Sequence, residues 1–297
     1  MKVKFIINPV AGSGKGRRTW ETVQKMLDGE GYPYAYAFSR YPREAVTLAR
    51  QAAAAGYGVV AAVGGDGTAN EVANGLMGSG AALAIVPAGT GCDYIRSLPI
   101  PPDPLGAARL VYGGQRLNVD VGLVNNRYFL GVAGLGLDAE VCRRVNENLS
   151  YLWGRTAYIV GMVATLATFR PFWVTIELDE DRLETEVTLV AVANAKYFGG
   201  GMLIAPQADP RSGYFTVCIV EGLSKLETLR VFPRIFTGSH TKHPSFRVYR
   251  SRRVCIRGPG TGAIQAEGEL VGRLPLEAEI LPAALPVLVA GGRGKLP

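Results

Sequence analysis

Four acidic side chains stand in or just after glycine-rich turns, where a carboxylate could work on a phosphate or on a proton. Asp66 lies in Val63-Gly64-Gly65-Asp66-Gly67-Thr68-Ala69-Asn70-Glu71, Asp93 follows Pro87-Ala88-Gly89-Thr90-Gly91-Cys92, and Glu267 and Glu269 flank Gly268. A carboxylate in such a turn can hold a magnesium ion, directly or through water, or accept a proton. Thr68 can cap the helix that follows or bond a phosphate oxygen. A capped turn with Asp66 on the helix dipole would account for the acid alone. It would not call for glycine on both sides of it.

A third glycine cluster, Asn8-Pro9-Val10-Ala11-Gly12-Ser13-Gly14-Lys15-Gly16, could line a phosphate with backbone N–H groups ahead of a helix N-terminus. It lacks the GxxxxGK[ST] pattern and is no P-loop. The elements around these clusters alternate. Lys2 to Ile7, Tyr34 to Phe38, Gly58 to Val63 and Ala81 to Val86 read as strands, and Arg17 to Leu27, Arg43 to Ala55 and Ala69 to Met77 as helices. That rhythm implies a parallel sheet covered on both faces, with ligands beyond the carboxyl ends of its strands. Three Gly-rich turns then end three strands of one sheet, and a nucleotide site needs that convergence more than a scaffold does.

After about Leu110 the rhythm changes to antiparallel strands. These are expected at Arg116 to Val124, Arg127 to Val132, Phe172 to Leu178, Leu183 to Ala193, Phe215 to Val220, Phe246 to Ile256, Gly262 to Ala266, Leu276 to Ile280 and Val287 to Val289. Helices interrupt them at about Asp138 to Val145, Ala157 to Thr168 and Lys225 to Phe236. The fold class is therefore α/β with two domains. Residues 1–120 form a parallel-sheet nucleotide-binding domain, and 121–297 a β-rich antiparallel one whose last residues could return to the first. The net charge of +7 favours anionic partners, but no dense basic run of nucleic-acid type occurs. Arg247, Arg250, Arg252, Arg253 and Arg257 read as one basic face of a strand that could meet an anionic membrane. The four cysteines are scattered without a CxxC, and His240 and His243 are the only histidines, so a zinc site or disulfide framework is not expected. Thr156 to Phe169, the longest mostly apolar stretch, is shorter than the roughly 20 residues a spanning helix needs. The expected setting is cytoplasmic, peripheral to the inner face of the membrane.

NPVAGSGKG, GGDGTANEV and PAGTGCDYIRSL, in this order and spacing, resemble the diacylglycerol kinase catalytic family, which includes bacterial lipid kinases and sphingosine kinases. The resemblance continues through Gly134-Leu135-Gly136-Leu137-Asp138-Ala139, Ala205-Pro206-Gln207-Ala208-Asp209-Pro210, Gly238-Ser239-His240 and Glu267-Gly268-Glu269. It implies a cleft between two domains and phosphoryl transfer from ATP, with magnesium, to a lipid hydroxyl at the membrane surface, diacylglycerol by default. It also implies residue roles. Asn8, Pro9, Val10, Ala11, Gly12, Ser39, Gly65, Asp66, Gly67, Thr68, Ala69, Asn70, Glu71 and Thr90 would hold the nucleotide. Asp66 and Asp93 would organise magnesium and water, and Glu269 would accept the proton. The alternatives are a kinase of a soluble acceptor such as NAD, or a nucleotide-binding regulator that has lost catalysis. A homodimer is left open.

Three positions depart from the family pattern. Cys92 stands where Asn is usual, and Glu267 where Asp is usual. At the match to the family's structural magnesium site, Asp209, Ser212 and Tyr214, a serine replaces an Asp, and a neutral hydroxyl is a poor ligand for a hard cation. Positions i and i+2 of a strand share a face. Glu267 and Glu269 would then both face the cleft and perturb each other's titration, unless Gly268 turns the chain.

Overall fold

The computed structural model describes residues 2–89, 91–148, 154–260 and 262–291. The chain divides into two units. One runs up to Val119 and resumes at Ala283, and the other is Asp120–Pro282.

The first unit opens with β1 (Val3–Ile7), α1 (Ala11–Gly29), β2 (Ala35–Phe38), α2 (Glu44–Ala54), β3 (Val59–Gly64), α3 (Asp66–Leu76), β4 (Ala82–Pro87), a 3₁₀ turn (Tyr94–Ser97) and α4 (Pro104–Gly113). Every residue of β3 and β4 is buried, as continuous apolar runs in a parallel sheet must be when helices cover both faces. The four strands pair in parallel in the order β2-β1-β3-β4. α1 seats Trp20, Val23 and Leu27 in a core with Phe5, Ile7 and the small residues Ala61 and Ala84. Gly12, Ser13 and Gly14 have left-handed backbone, so the regular part of α1 starts only after them. Asp103 caps α4 by accepting the Gly106 N–H at 2.6 Å, with proline at the first helical position.

The second unit is built on β5 (Gln115–Val124), β6 (Arg127–Phe129), β7 (Val132–Gly136), α5 (Leu137–Asn148), α6 (Gly154–Leu166), β8 (Phe172–Glu177), β9 (Arg182–Ala193), β10 (Phe215–Glu221), α7 (Lys225–Val231), β11 (Phe246–Ser251), β12 (Arg253–Arg257), β13 (Ala263–Ala266), β14 (Glu269–Arg273) and β15 (Leu276–Val289). β5 begins in the first unit, and β15 ends there, pairing in parallel with β4 through Val287 and Leu83. Within the second unit the ladders are antiparallel in the order β14-β13-β7-β9-β8-β12-β15, with β10 between β9 and β11. Its main core joins Phe129 to Phe215, stacked at 5.7 Å, with Val190, Val192, Ile219, Ile256 and Leu276 around them. α5 and α6 form a satellite core through Leu137, Val141, Val145, Met162 and Leu166.

The mixed architecture is the expected one; several boundaries differ for local reasons. The strand expected over Phe246 to Ile256 breaks at Arg252. There the Asp179 carboxylate takes both the Arg252 and Arg253 N–H groups, at 2.6 and 2.9 Å. The helix expected over Lys225 to Phe236 stops after one capping-box helix and tightens to a 3₁₀ turn at Phe232–Phe236, where Pro233 enters. The basic face of Arg247 to Arg257 offers less free charge than the sequence suggests. Arg247 pairs with Glu221, Arg253 with Glu279 and Arg257 with Glu177, while Arg250 and Arg252 both lie over the Tyr214 ring. His240 is buried, its Nε2 3.1 Å from Ile204 O and its ring edge-on to Phe246, which makes it a packed turn residue. No helix among the described residues is long and apolar enough to cross a membrane.

Candidate active site

In the first unit the three Gly-rich turns are in backbone contact. A Cβ on Gly89 would sit 2.6 Å from Gly65 Cα, and one on Gly12 would sit 2.6 Å from Ala88 O. Side chains then tie the turns together. Asn8 Nδ2 donates to Thr68 Oγ1 at 3.2 Å, while Asn8 Oδ1 accepts the Val10 N–H at 3.2 Å. Asp66 opens α3 and commits both carboxylate oxygens to the third turn. Oδ2 accepts the Asp93 N–H at 2.9 Å, and Oδ1 accepts the Tyr94 N–H at 3.0 Å. Each oxygen keeps further acceptor capacity.

The nucleotide residues expected from the sequence are largely brought together here. Asn8, Gly12, Gly65, Asp66, Thr68 and Asp93 belong to the joined turns, with Pro9, Val10 and Ala11 in the first and Gly67, Ala69 and Asn70 in the first turns of α3. Val10 is 71% exposed, so the first turn lies at the surface. Ser39 follows β2, its N–H 2.8 Å from Ile7 O at the end of β1. Glu71 accepts the Arg43 N–H, just ahead of α2, at 3.2 Å. Thr90 lies outside the described residues. Asp93 is buried, with one oxygen 3.7 Å from the Arg96 guanidinium. Cys92 has left-handed backbone (φ 48°), which costs a non-glycine residue about 1–3 kcal/mol. Its thiol is 3.9 Å from Gly64 O, and burial, then the Asp66 charge, push it up to about 11.

In the second unit Glu267 and Glu269 do not share a face. Glu267 (φ 55°) and Gly268 (φ 77°) both have left-handed backbone and form the two-residue turn between β13 and β14, with Ala266 opposite Glu269. Gly268 does turn the chain. Glu267 Oε1 accepts the N–H groups of Leu130 and Gly131 at 2.9 and 2.5 Å, which makes it an anchor of the turn and not a second acid beside Glu269. Glu269 is paired with Arg127, and its side chain is 42% exposed. Sequence reasoning missed Arg127, which no motif marks. Asp138 lies within one of the motifs but had no role assigned to it. Its Oδ2 accepts from Gln265 Nε2 at 3.0 Å, and Gln265 Oε1 accepts the Gly268 N–H at 3.1 Å.

Magnesium bound with a nucleotide needs only one or two carboxylates, the rest being phosphate and water. Asp66, with spare acceptor capacity at a Gly-lined helix N-terminus, fits that role. The expected structural magnesium site does not. Arg211 forks onto Asp209, with Nε to Oδ1 and Nη2 to Oδ2 both at 3.1 Å. Ser212 Oγ is closed onto the Tyr214 backbone, and the Tyr214 ring lies against two arginines. Among the described residues no group of three His, Cys, Asp or Glu could hold a metal ion. The cation at Asp209 is the chain's own guanidinium.

Comparison with known proteins agrees with this division of parts. Residues 2–124 match the diacylglycerol kinase catalytic domain, and residues 131–289 match the YegS C-terminal NAD kinase beta sandwich-like domain. A curated diacylglycerol kinase of Mycobacterium tuberculosis (strain ATCC 25618 / H37Rv) is 31% identical over 294 residues, spanning 97% of this chain and 94% of its own. One of Bacillus subtilis (strain 168) is 30% identical over 279 residues, spanning 93% and 92%. A solved diacylglycerol kinase structure from Bacillus anthracis str. Sterne matches with a TM-score of 0.75 at 21% identity, over 97% of this chain and 96% of that one. That likeness speaks to the fold.

Proposed function

The chain belongs to the diacylglycerol kinase family and is a kinase, and from that premise we propose that it transfers the γ-phosphoryl group of ATP to the hydroxyl of a membrane lipid, with diacylglycerol as the acceptor and phosphatidic acid as the product. The observation that carries the nucleotide half is the Asp66 carboxylate bonded to the Asp93 and Tyr94 amides, because it locks the Gly-rich turns into one surface of backbone donors. Those donors, at the N-terminus of α3, bind and orient the phosphates before charge develops on them. Asn8 and Thr68 hold the first and second turns in step. Magnesium entering with ATP would rest on Asp66 and Asp93 and neutralise phosphate charge. Glu269 takes the proton of the attacking hydroxyl, since an alcohol is a weak nucleophile at neutral pH. Arg127 orients that carboxylate and must loosen its hold as the proton arrives.

A bilayer acceptor is supported by an apolar surface on the second unit. Ile159, Val160 and Val163 of α6 and Leu226 and Leu229 of α7 are all exposed, by 39 to 57%. Lys225 lies beside them, its Nζ donating to Ala167 O just past α6. Apolar side chains rimmed by cationic ones suit an anionic lipid surface. A second reading, an NAD-like soluble acceptor, draws on the NAD kinase likeness of residues 131–289. Mixed micelles separate the two. With total lipid held constant, a membrane-lipid kinase slows as neutral detergent dilutes diacylglycerol at the micelle surface. A rate indifferent to that dilution, together with phosphorylation of NAD, would replace the lipid reading with the soluble one.

A further inference from the structure

The turn that carries Glu267 and Glu269 has Gly268 gripped through both its N–H and its carbonyl. Gln265 Oε1 takes the Gly268 N–H, while Cys142 Sγ at 2.9 Å and Asn146 Nδ2 at 3.3 Å approach Gly268 O from α5. Gln265 is buried, and a side-chain amide can sit in either of two orientations. Only one gives Gly268 an acceptor; the other sets donor against donor. Asp138 makes the choice. Its Oδ2 accepts from Gln265 Nε2, which leaves Oε1 facing the turn. Glycine at 134 leaves room for this, since a Cβ there would lie 2.5 Å from Asp138 Oδ2.

Burial disfavours a charge on Asp138, against the Gln265 amide and the amides at the start of α5, which favour one. The Asp138 Oδ1 is buried without a hydrogen bond among the described residues. β7 and β13 carry no ionisable side chain at all. Among the described residues, Cys142 on the same helix feels the Asp138 charge, and it also feels Glu269 on β14. Neither is a cation.

We propose that Asp138 is a positioning residue for the Glu267–Gly268–Glu269 turn: as an uncharged acid it fixes the orientation of Gln265, and through the Gly268 peptide it sets where Glu269 stands. The inference rests on Glu269 as the proton acceptor. Burial pushes the Asp138 carboxyl up to about 7, with Gln265 and the amides at the start of α5 pulling the other way, so a protonated form is accessible at neutral pH.

The test compares full-chain Asp138→Asn, Asp138→Leu, Gln265→Leu and Glu269→Gln by kcat, by KM for ATP and by hydrogen exchange at the Gly268 amide. Asn keeps an acceptor without a charge, so Asp138→Asn should hold kcat within about threefold of the parent. Asp138→Leu and Gln265→Leu should each lower kcat by roughly 10- to 100-fold with KM for ATP unchanged, and the double variant should be no worse than the poorer single one, because both break one chain of bonds. Gly268 exchange should quicken by about tenfold or more in the Leu variants and stay slow in Asp138→Asn. The proposal is overturned if Asp138→Asn is as impaired as Asp138→Leu, or if Gly268 exchange in Asp138→Leu matches the parent. Should the Leu variants fail to fold, Asp138→Asn decides alone, since loss of kcat there would mean the charge is needed. Full activity in Glu269→Gln would instead remove the proton-acceptor reading, while the exchange data would still judge Asp138.

Discussion

Glu269 and Glu267 show how two identical side chains one residue apart come to do different things. The left-handed pair Glu267 and Gly268 sends their carboxylates apart, one onto the Leu130 and Gly131 amides and one out to Arg127. Glu269→Gln keeps the shape and removes the proposed base. It should lower kcat by a factor on the order of 10² to 10⁴ with ATP affinity little changed; steady-state kinetics with a fluorescent-nucleotide binding assay would check both. Cys92 replaces an expected amide side chain in the third turn, and its thiol titrates at about 11 because burial and Asp66 disfavour the thiolate. At pH 7.5 it should react with iodoacetamide far more slowly than free cysteine, and its rate should keep climbing past pH 9, where that of an unperturbed thiol levels off. Mass-resolved labelling against pH would read this. Asp66 and Glu269 stood out in the sequence because glycine beside an acid is an unfavourable pattern unless backbone must come close to something, and Asp93 stood out by following the third Gly-rich turn. Arg127 and the Asp138–Gln265 contact were not legible, since the partners stand 142 and 127 residues apart and no local pattern encodes the pairing.

The elements are legible where periodicity is strong and obscure where one side chain intervenes. β3 and β4 are uninterrupted apolar runs and could hardly be anything but buried parallel strands. The break between β11 and β12 depends on Asp179, more than 70 residues earlier in the chain, taking two amides. β14 escapes the sequence reading altogether, because Glu269-Leu270-Val271-Gly272-Arg273 is short and holds a glycine. At this scale the close approach of turns gives a sharp expectation. Gly89→Ala drives a Cβ against Gly65 backbone, which cannot give way as a flexible side chain would. It should cost about 1–3 kcal/mol of stability and weaken ATP binding more than it weakens the fold; calorimetric titration beside a thermal melt would separate the two. The turn Asp209 to Tyr214 gives another. With Arg211 forked onto Asp209, the melting temperature should not move on adding EDTA or magnesium in the absence of nucleotide. Arg211→Met should cost no more than about 1 kcal/mol, because both partners are about 40% exposed and solvent screens the pair. A melting temperature that falls with EDTA in the parent protein would restore a metal to this turn.

The whole chain has one unit whose Gly-rich turns are the proposed phosphate site and another that carries Glu269, the proposed proton acceptor, and an exposed apolar face. The last strand serves both, its start in the second unit's antiparallel ladders and its end beside β4 in the first. The sequence made the two-part division visible through the change from alternating helix and strand to strand after strand. It suggested an acceptor class only through resemblance, because an apolar face made from α6 and α7 is assembled from two segments far apart in the chain, Gly154–Leu166 and Lys225–Val231. The net charge of +7 would suit an anionic bilayer and an anionic soluble acceptor such as NAD alike, so only the exposed apolar face favours the lipid. The most direct test is to identify the product. The purified protein is incubated with γ-labelled ATP, magnesium, vesicles of diacylglycerol in anionic phospholipid, and NAD in the same tube. The account predicts label in phosphatidic acid, none in NAD, and loss of the lipid label in Glu269→Gln. Label in NAD with none in the lipid fraction, or lipid label undiminished in Glu269→Gln, would contradict it.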